Sequence, residues 1–298
     1  MNFSIRNKSY SLGFILITAL IFALCIASFT RTAFSEVTVV KSNHENKLYS
    51  QQIDQLHKGN KELKLHNKDL QHSIKKNQNL YKKQMANVKI AYLTFDDGPS
   101  DHTSDILTTL KKHNVKATFF INGHDSLRNK YKEISDGGHA LANHTYSHDY
   151  KTIYSSADNF SRDTKKLDAY LTEVTGKAPN HILRYPGGSN NTVSHEYGGT
   201  AIMDTIIKKM NDDGYKYFDW NVDSTDASTY CQNKNKIVQE VLTQSTQVKH
   251  AIILMHDLGP KVTTVQALPE IIEGLKNQGY IFDVLSKDSY APQFKVVS

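Results

Sequence analysis

The stretch KIAYLTFDDGPSD, residues 89–101, places two adjacent aspartates directly after a short apolar run. An apolar run of this length is typical of a buried β-strand, so Asp96 and Asp97 fall where the strand ends. Neighbouring carboxylates repel each other, and burying either one is costly unless another group compensates its charge. The sequence therefore predicts a site of chemical function at the end of the first strand.

Downstream of this strand, strand-like segments alternate with helix-like segments. Strands are predicted at 89–95, 115–121, 139–143, 182–186, 216–222, 250–255 and 280–285. Helices are predicted near 102–113, 127–136, 157–174, 200–213, 233–247 and 263–277. This α/β alternation predicts a parallel sheet of about seven β/α units, closed into a distorted or incomplete (β/α) barrel. An open doubly wound sheet is the alternative, and either architecture places a site at the carboxyl ends of its strands.

The N-terminal part of the chain contains an uncharged apolar run of 18 residues, LGFILITALIFALCIASF at 12–29. Its length is at the lower edge for a membrane span and exceeds a signal-peptide core of about 7–15 residues. Basic residues precede it, which predicts a cytoplasmic segment 1–11, a transmembrane anchor 12–30 and an exported remainder. The alternative is a signal peptide cleaved near Ala27 or Ser28. Both interpretations place the rest of the chain outside the membrane.

Residues 31–88 form a lysine-rich spacer before the predicted domain 89–298. Residues 41–89 carry eleven lysines against four acidic residues, whereas the whole chain has a net charge of only +6. Because the positive charge belongs to the spacer, nucleic-acid binding by the folded domain is not indicated.

Two heptad series run through the spacer. Their members are Leu56, Leu63 and Leu70 in one series, and Ile53, Asn60, Asn67, Ile74 and Tyr81 in the other. Such a pattern is typical of a coiled coil whose core asparagines set the register, and it predicts a homo-oligomeric stalk. A solvated helical spacer is the alternative.

A histidine pair follows the third predicted strand, in the sequence NHTYSH at 143–148. His144 and His148 are four residues apart, so on a helix they would share one face. Together with Asp97, also at a strand end, they would supply one carboxylate and two imidazoles, a common ligand set for a borderline divalent metal. The sequence therefore favours a metal site.

Three later strand ends also carry polar groups: RYPGGS at 184–189, DWNVDSTDAS at 219–228, and AIILMHDLG at 251–259. Arg184 could pair with a strand-end carboxylate, and the glycines after it would let backbone N–H groups face a ligand. Five such clusters on one predicted rim indicate an active site.

These motifs resemble those of the polysaccharide deacetylase family, also known as the NodB-homology or carbohydrate esterase family 4 domain. The resemblance covers about 89–285. TFDDG stands at 94–98, H-[ST]-x-x-H at 144–148, and Arg-x-Pro at 184–186. The tryptophan-plus-acidic motif is Trp220 with Asp223 and Asp226, and Leu-x-His is 254–256.

The resemblance implies a hydrolase that removes N-acetyl groups from a polysaccharide with the help of one divalent metal. The metal is usually zinc, with Co²⁺, Mn²⁺ or Ni²⁺ as alternatives, and its implied ligands are Asp97, His144 and His148. The implied catalytic groups are the base Asp96, Arg184 that holds it, the acid His256, Asp226 that orients the acid, and the backbone N–H of Tyr185. The implied substrate pocket consists of Trp220, Leu254, Pro186 and Gly187.

One position departs from the family pattern. Many relatives have tryptophan directly after the second aspartate of D-x-x-D-W, where this chain has Ala227. The aromatic wall of the substrate pocket therefore differs, and the sugar specificity of a particular relative does not carry over.

A membrane-anchored enzyme of this family is expected to face the cell wall and to act on N-acetylglucosamine in peptidoglycan. An N-acetylhexosamine of a wall-attached glycopolymer or its linkage unit, and poly-N-acetylglucosamine, are alternative substrates; O-acetyl esters such as those of xylan are a further one. A degenerate surface protein that only binds glycan is the non-enzymatic alternative.

Overall fold

The computed structural model describes residues 7–85 and 87–297, so the predicted cytoplasmic segment 1–11 lies partly outside the described residues. The chain divides into two compact units, with the boundary between Lys83 and Gln84.

The first unit is one continuous helix, α1 (Asn7–Met85), which includes both the apolar run and the lysine-rich spacer. The helix is uninterrupted because its sequence contains no proline and only two glycines. By length and composition, this helix could cross a membrane. Leu56, Leu63 and Leu70 of the heptad series are exposed on it. The predicted N-terminal helix is thus present.

The second unit is an α/β domain. Its strands are β1 (Lys89–Asp96), β2 (Thr118–Ile121), β3 (Ala140–Asn143), β4 (Ile182–Leu183), β5 (Lys216–Tyr217), β6 (Val222–Asp223), β7 (His250–His256) and β8 (Tyr280–Phe282). Its helices are α2 (Thr103–Lys112), α3 (Arg128–Asp136), α4 (Tyr150–Ile153), α5 (Ala157–Thr175), α6 (His195–Gly198), α7 (Ile202–Asp212), α8 (Lys234–Ser245) and α9 (Val262–Asn277). Each predicted helix of this domain is present, and so is each predicted strand except 216–222, which is divided into β5 and β6. Most of these elements lie within a few residues of their expected bounds.

The strands form one parallel sheet in the order β5-β4-β3-β2-β1-β7-β6, and β8 pairs with the first residues of β1. β5 and β6 lie at opposite ends of this order, although only residues 218–221 separate them. A chain from Tyr217 to Val222 spans at most about 18 Å, so the two ends of the sheet must curl towards each other. The strand pairings among the described residues include none between β5 and β6. The predicted incomplete barrel is therefore confirmed.

The predicted strand 216–222 is wrong as a single element. The chain leaves one end of the sheet after Tyr217 and joins the other end at Val222, so residues 218–221 cross the gap between them. Periodicity does not reveal such a crossing, because each strand has only two residues and both lie within one seven-residue segment, KYFDWNV.

Both faces of the sheet are buried. On β1, Ala91, Leu93 and Phe95 pack in the layer between sheet and helices, whereas Ile90 and Tyr92 belong to a separate inner cluster. Burial on both faces explains why the strand is continuously apolar. Since side chains alternate along a strand, Thr94 and Asp96 share the face of Ile90 and Tyr92 and lie inside the barrel mouth.

The register of the sheet sets the level of the site. Asp96 is directly opposite His256 on β7 and Phe120 on β2, and Asn143 at the end of β3 is opposite Leu183 on β4. The strand ends that precede the sequence motifs therefore lie along one rim.

Candidate active site

Asp96 is held by a fully buried arginine. Nη1 of Arg184 donates to Oδ1 of Asp96 and to Oγ1 of Thr94, at 2.8 Å in each case. Nε donates to the backbone carbonyl of Phe218 at 3.0 Å, and Nη2 donates to that of Asp219 at 3.2 Å. Removing one partner of such a buried ion pair costs about 3–5 kcal/mol. Asp96 is therefore fixed in one orientation at the barrel mouth.

Asp97 lies next to the histidine pair. The candidate ligand atoms of Asp97, His144 and His148 lie within 4.8 Å of one another. Oδ1 of Asp97 is 3.4 Å from Nε2 of His144 and 3.2 Å from Nε2 of His148. This buried oxygen has no hydrogen-bond partner of ordinary geometry among the described residues. A buried oxygen left unpaired beside two imidazole nitrogens is what a metal ligand requires, so the residues fit a divalent metal.

The tautomer of His144 suits metal binding. Its Nδ1 lies 2.8 Å from the backbone carbonyl of Arg184, an acceptor that requires Nδ1 to carry the proton. In the neutral ring, Nε2 is then unprotonated and free to bind a metal, as in the common arrangement of metal-bound histidines. Arg184 thus supports the site twice, through its side chain to Asp96 and through its carbonyl to His144.

The histidines converge through a loop, so the premise that they share a helix face is wrong. His144–Asp149 is not helical, and Thr145 (φ +69°) and His148 (φ +50°) have left-handed backbones. Oδ1 of Asn143 accepts from the N–H of Thr145, and Oγ1 of Thr145 accepts from the N–H of His148. These bonds turn the chain so that the two imidazole rings lie 5.1 Å apart.

Burial and neighbouring charges both shift the pKa values of the candidate metal ligands. Burial tends to raise the pKa of Asp97, but the adjacent His144 and His148 outweigh it and hold that pKa well below its usual range. For His148, burial followed by the charge of His144 lowers the pKa, which favours the neutral ring. A carboxylate beside a neutral imidazole is the protonation state in which these residues bind a metal.

His256 is paired with Asp226 on the other side of Asp96. Oδ1 of Asp226 lies 2.7 Å from Nδ1 of His256, and Oδ2 accepts from the backbone N–H of His256 at 2.8 Å. Burial tends to lower the pKa of His256, but the hydrogen bond and charge of Asp226 outweigh it and raise the pKa to about 9. The imidazole is thus poised as a proton donor at neutral pH.

The loop after β4 lies beside these groups. The N–H of Tyr185 donates no hydrogen bond within the described part of the chain, whereas its carbonyl accepts from the N–H of Gly188. Gly187 has φ +79°, and a Cβ there would lie 2.7 Å from the hydroxyl of Tyr150, so only glycine fits. The carbonyl of Pro186 accepts from the hydroxyl of Tyr154 at 2.6 Å.

Comparisons with known proteins identify relatives of this chain. The sequence profile described as "Polysaccharide deacetylase" matches residues 82–218. The chain is 33% identical over 213 residues to the peptidoglycan-N-acetylglucosamine deacetylase of Bacillus cereus, covering 68% of this chain and 72% of the relative. It is 30% identical over 213 residues to the peptidoglycan-N-acetylmuramic acid deacetylase of Bacillus subtilis, covering 70% of this chain and 75% of the relative.

Solved structures agree as well. The catalytic domain of the peptidoglycan N-acetylglucosamine deacetylase from Eubacterium rectale matches with a TM-score of 0.67 and 36% identity, covering 70% of this chain and 94% of that chain. The chain belongs to the polysaccharide deacetylase family. This deacetylase is therefore a hydrolase of N-acetyl groups, and its family is in general metal-dependent.

The predicted pocket residues of the deacetylase lie at the same mouth. Trp220 is half-buried, with its ring 5.7 Å from the guanidinium carbon of Arg184 and edge-on to Phe294 at 4.9 Å. Leu254 is buried on β7, two residues before His256 and therefore on the same face of the sheet. Ala227 is exposed, directly after Asp226.

Two further aspartates, Asp219 and Asp257, support the site through contacts that the sequence did not predict. Asp219 is fully buried and accepts from the N–H and the hydroxyl of Ser189, which ties it to the loop after β4. Asp257 accepts from the hydroxyls of Ser100 and Thr103, which ties β7 to the loop after Asp97. Asp219 directly precedes Trp220, and Asp257 directly follows His256. This adjacency to a motif residue was the one signal in the sequence that could have indicated a supporting role. Their partners are distant in sequence, so their contacts were not predictable.

Proposed function

We propose that this deacetylase removes the acetyl group from N-acetylglucosamine residues of cell-wall peptidoglycan in a metal-dependent reaction that releases acetate. The observation that carries the chemistry is the unpaired buried Oδ1 of Asp97 between two imidazoles, next to the Asp96–Arg184 pair. The substrate is supported by the relatives from Bacillus cereus and Eubacterium rectale, whose names specify peptidoglycan N-acetylglucosamine.

In this proposal, Asp97, His144 and His148 hold one divalent ion, with zinc as the first candidate. When bound, the ion supplies Lewis-acid chemistry that activates water and polarises the acetyl carbonyl. The chain's own residues carry the proton transfers.

Asp96 accepts the proton of the attacking water, because its carboxylate lies at the barrel mouth and is oriented by Arg184. The backbone N–H of Tyr185 donates to the negative charge that develops on the carbonyl oxygen when water attacks the carbonyl carbon. His256 then gives its proton to the sugar nitrogen as the C–N bond breaks. Asp226 holds the imidazole in the required tautomer and stabilises its charged form.

The deciding experiment for the substrate is mass analysis of purified wall fractions from cells with and without the protein. The proposal expects glucosamine with a free amine in muropeptides only when the protein is present. A free amine on muramic acid, or unchanged muropeptides with an altered glycopolymer or poly-N-acetylglucosamine, would assign another substrate to the same site. Acetate released only from O-acetylated xylan would indicate an esterase.

A protein that only binds glycan is tested with the purified chain. We expect acetate release from N-acetylglucosamine oligosaccharides with added Zn²⁺, and loss of that release with a chelator. Binding of the oligosaccharide without acetate release under Zn²⁺, Co²⁺, Mn²⁺ or Ni²⁺ would support the binding protein instead.

The general acid gives a pH-dependent prediction. His256 works only when protonated, so activity is lost as the pH rises through its pKa. Asp226, with smaller contributions from Asp96 and Asp97, raises that pKa. Asp226→Asn removes one of these anions, and we expect the alkaline limb of the kcat profile to move to lower pH. An alkaline limb that stays in place would show that His256 is not the group that titrates.

We further propose that α1 anchors the deacetylase in the cell membrane with its catalytic domain facing the wall, and that its heptad series pairs two copies in parallel. The exposed Leu56, Leu63 and Leu70 on α1 support this pairing. In a background without Cys25 and Cys231, Asn60→Cys at a core position should form a disulfide-linked dimer on oxidation. Lys61→Cys, at an outer position, is the control. Equal cross-linking of the two variants would contradict the coiled coil.

A further inference from the structure

Lys261 is a buried lysine whose ammonium group, among the described hydrogen bonds, binds only the segment that carries Asp226. Its side chain is 7% exposed, and it lies at the residue before α9. Nζ donates to the backbone carbonyls of Asp226 at 2.9 Å, Thr229 at 2.8 Å and Tyr230 at 3.2 Å. All three protons of the ammonium are therefore directed at residues 226–230, which we call the acid-support loop.

Regular secondary structure contributes little to holding the acid-support loop. Its regular structure is limited to a single 3₁₀ turn, Asp226–Ser228, and residues 227–230 are exposed, with Tyr230 at 81%. Burying a cation is costly unless its hydrogen bonds are satisfied, and here that cost is offset only when the three carbonyls converge on Nζ. The lysine thus favours one conformation of the loop.

Asp226 needs that conformation because it contacts three groups at once. Its carboxylate binds the backbone N–H and the ring Nδ1 of His256, and its Oδ2 also accepts from the hydroxyl of Thr264 at 2.9 Å. Lys261 holds the backbone of Asp226, and Thr264 holds its carboxylate. A shift of about 1 Å in this backbone would misalign the His256 imidazole.

We infer that Lys261 is a positioning residue for the general acid His256, acting through the backbone of Asp226. The inference rests on the proposed function, in which His256 protonates the departing sugar amine. Lys261 touches neither His256 nor the candidate metal ligands in the described hydrogen bonds. Its effect should therefore be confined to the step that needs an acid.

Two substrates with different leaving groups can distinguish a role of Lys261 in positioning the acid from a general structural role. When an N-acetyl sugar is hydrolysed, the C–N bond breaks and the nitrogen must receive a proton. When 4-nitrophenyl acetate is hydrolysed, the C–O bond breaks and the phenolate leaves as a stable anion without protonation. Loss of acid positioning should slow the first reaction and spare the second, because both use the same base and the same metal site.

The test compares full-length wild type with Lys261→Met, measuring kcat on an N-acetylglucosamine oligosaccharide and the chelator-sensitive rate on 4-nitrophenyl acetate. We expect a loss of about 10- to 100-fold on the amide and of less than about 3-fold on the ester. Lys216→Met is the matched control. Lys216 lies at the start of β5, and its Nζ also binds two backbone carbonyls, those of Lys287 and Ser289. It should change neither rate by more than about 2-fold.

Equal losses on the two substrates, or no loss on either, would overturn the inference. If Lys261→Met does not fold, Lys261→Gln takes its place, because it removes the charge but keeps a polar donor at the same position. It should show the same selective loss, and equal losses there would also overturn the inference. Failure of the proposed function has a different signature, because wild type itself would then release no acetate from the oligosaccharide.

Discussion

Asp96→Asn should lower kcat on an N-acetylglucosamine oligosaccharide by about 10²- to 10⁴-fold while leaving metal binding intact, the range typical for loss of a general base. An amide has nearly the shape of a carboxylate and keeps one oxygen for Arg184, but it cannot accept the proton of water. Asp96 is 3.8 Å from Nε2 of His144 and does not belong to the candidate ligand group. This variant should therefore lose turnover and still bind the metal.

Three measurements check this expectation: kcat, metal content and the midpoint of thermal unfolding. The midpoint should fall, because Arg184 is then buried without an anionic partner. Asp101→Asn is the control, since Asp101 is exposed on the same loop. Loss of metal from Asp96→Asn, or wild-type kcat, would contradict the assignment of Asp96 as the base.

Asp97→Asn should weaken divalent-metal binding by more than about 100-fold and abolish turnover at limiting metal. Loss of a residue that merely supports a metal ligand already costs about 10- to 100-fold in affinity, so loss of a charged ligand should cost more. His144→Ala should behave similarly, since it removes a nitrogen that faces Oδ1 of Asp97.

Competition titration of Zn²⁺ against a chromogenic chelator measures these affinities directly and needs no substrate. His113→Ala is the matched control, because His113 pairs with Glu273 away from the strand ends. Metal affinity that is unchanged in both Asp97→Asn and His144→Ala would show that the ion binds elsewhere. The two variants should differ although the aspartates are adjacent: Asp97→Asn should lose metal affinity, whereas Asp96→Asn should keep the metal and lose turnover.

Much of the fold was predictable because its signals are local. Continuous apolar strands such as β1 and β7 are buried on both faces, and amphipathic segments such as α5 and α9 lie between strands, so periodicity located them. The rim was predictable for the same reason, since parallel strands place their carboxyl ends together. These signals led to Asp96, Asp97, Arg184 and His256.

The errors arose where the chain changes direction. His144 and His148 meet through left-handed residues in a loop, and the regular helix spacing only coincidentally suggested the same encounter. Strand 216–222 divides because the sheet curls, which brings two distant edges within reach of residues 218–221. Backbone reversals of this kind depend on hydrogen bonds such as that from Thr145 to Asn143, and no periodic pattern encodes them.

Local composition and motif order were enough to predict the family, the α/β order and the candidate site residues. How those side chains are held depends on the tertiary structure. The carbonyl of Arg184 accepts from Nδ1 of His144 and so sets its tautomer. Nζ of Lys261 binds backbone carbonyls of the loop that carries Asp226. The residues in these two contacts are 40 and 35 positions apart in the sequence. Such contacts form only when the barrel closes, so they depend on packing and cannot be inferred from a motif.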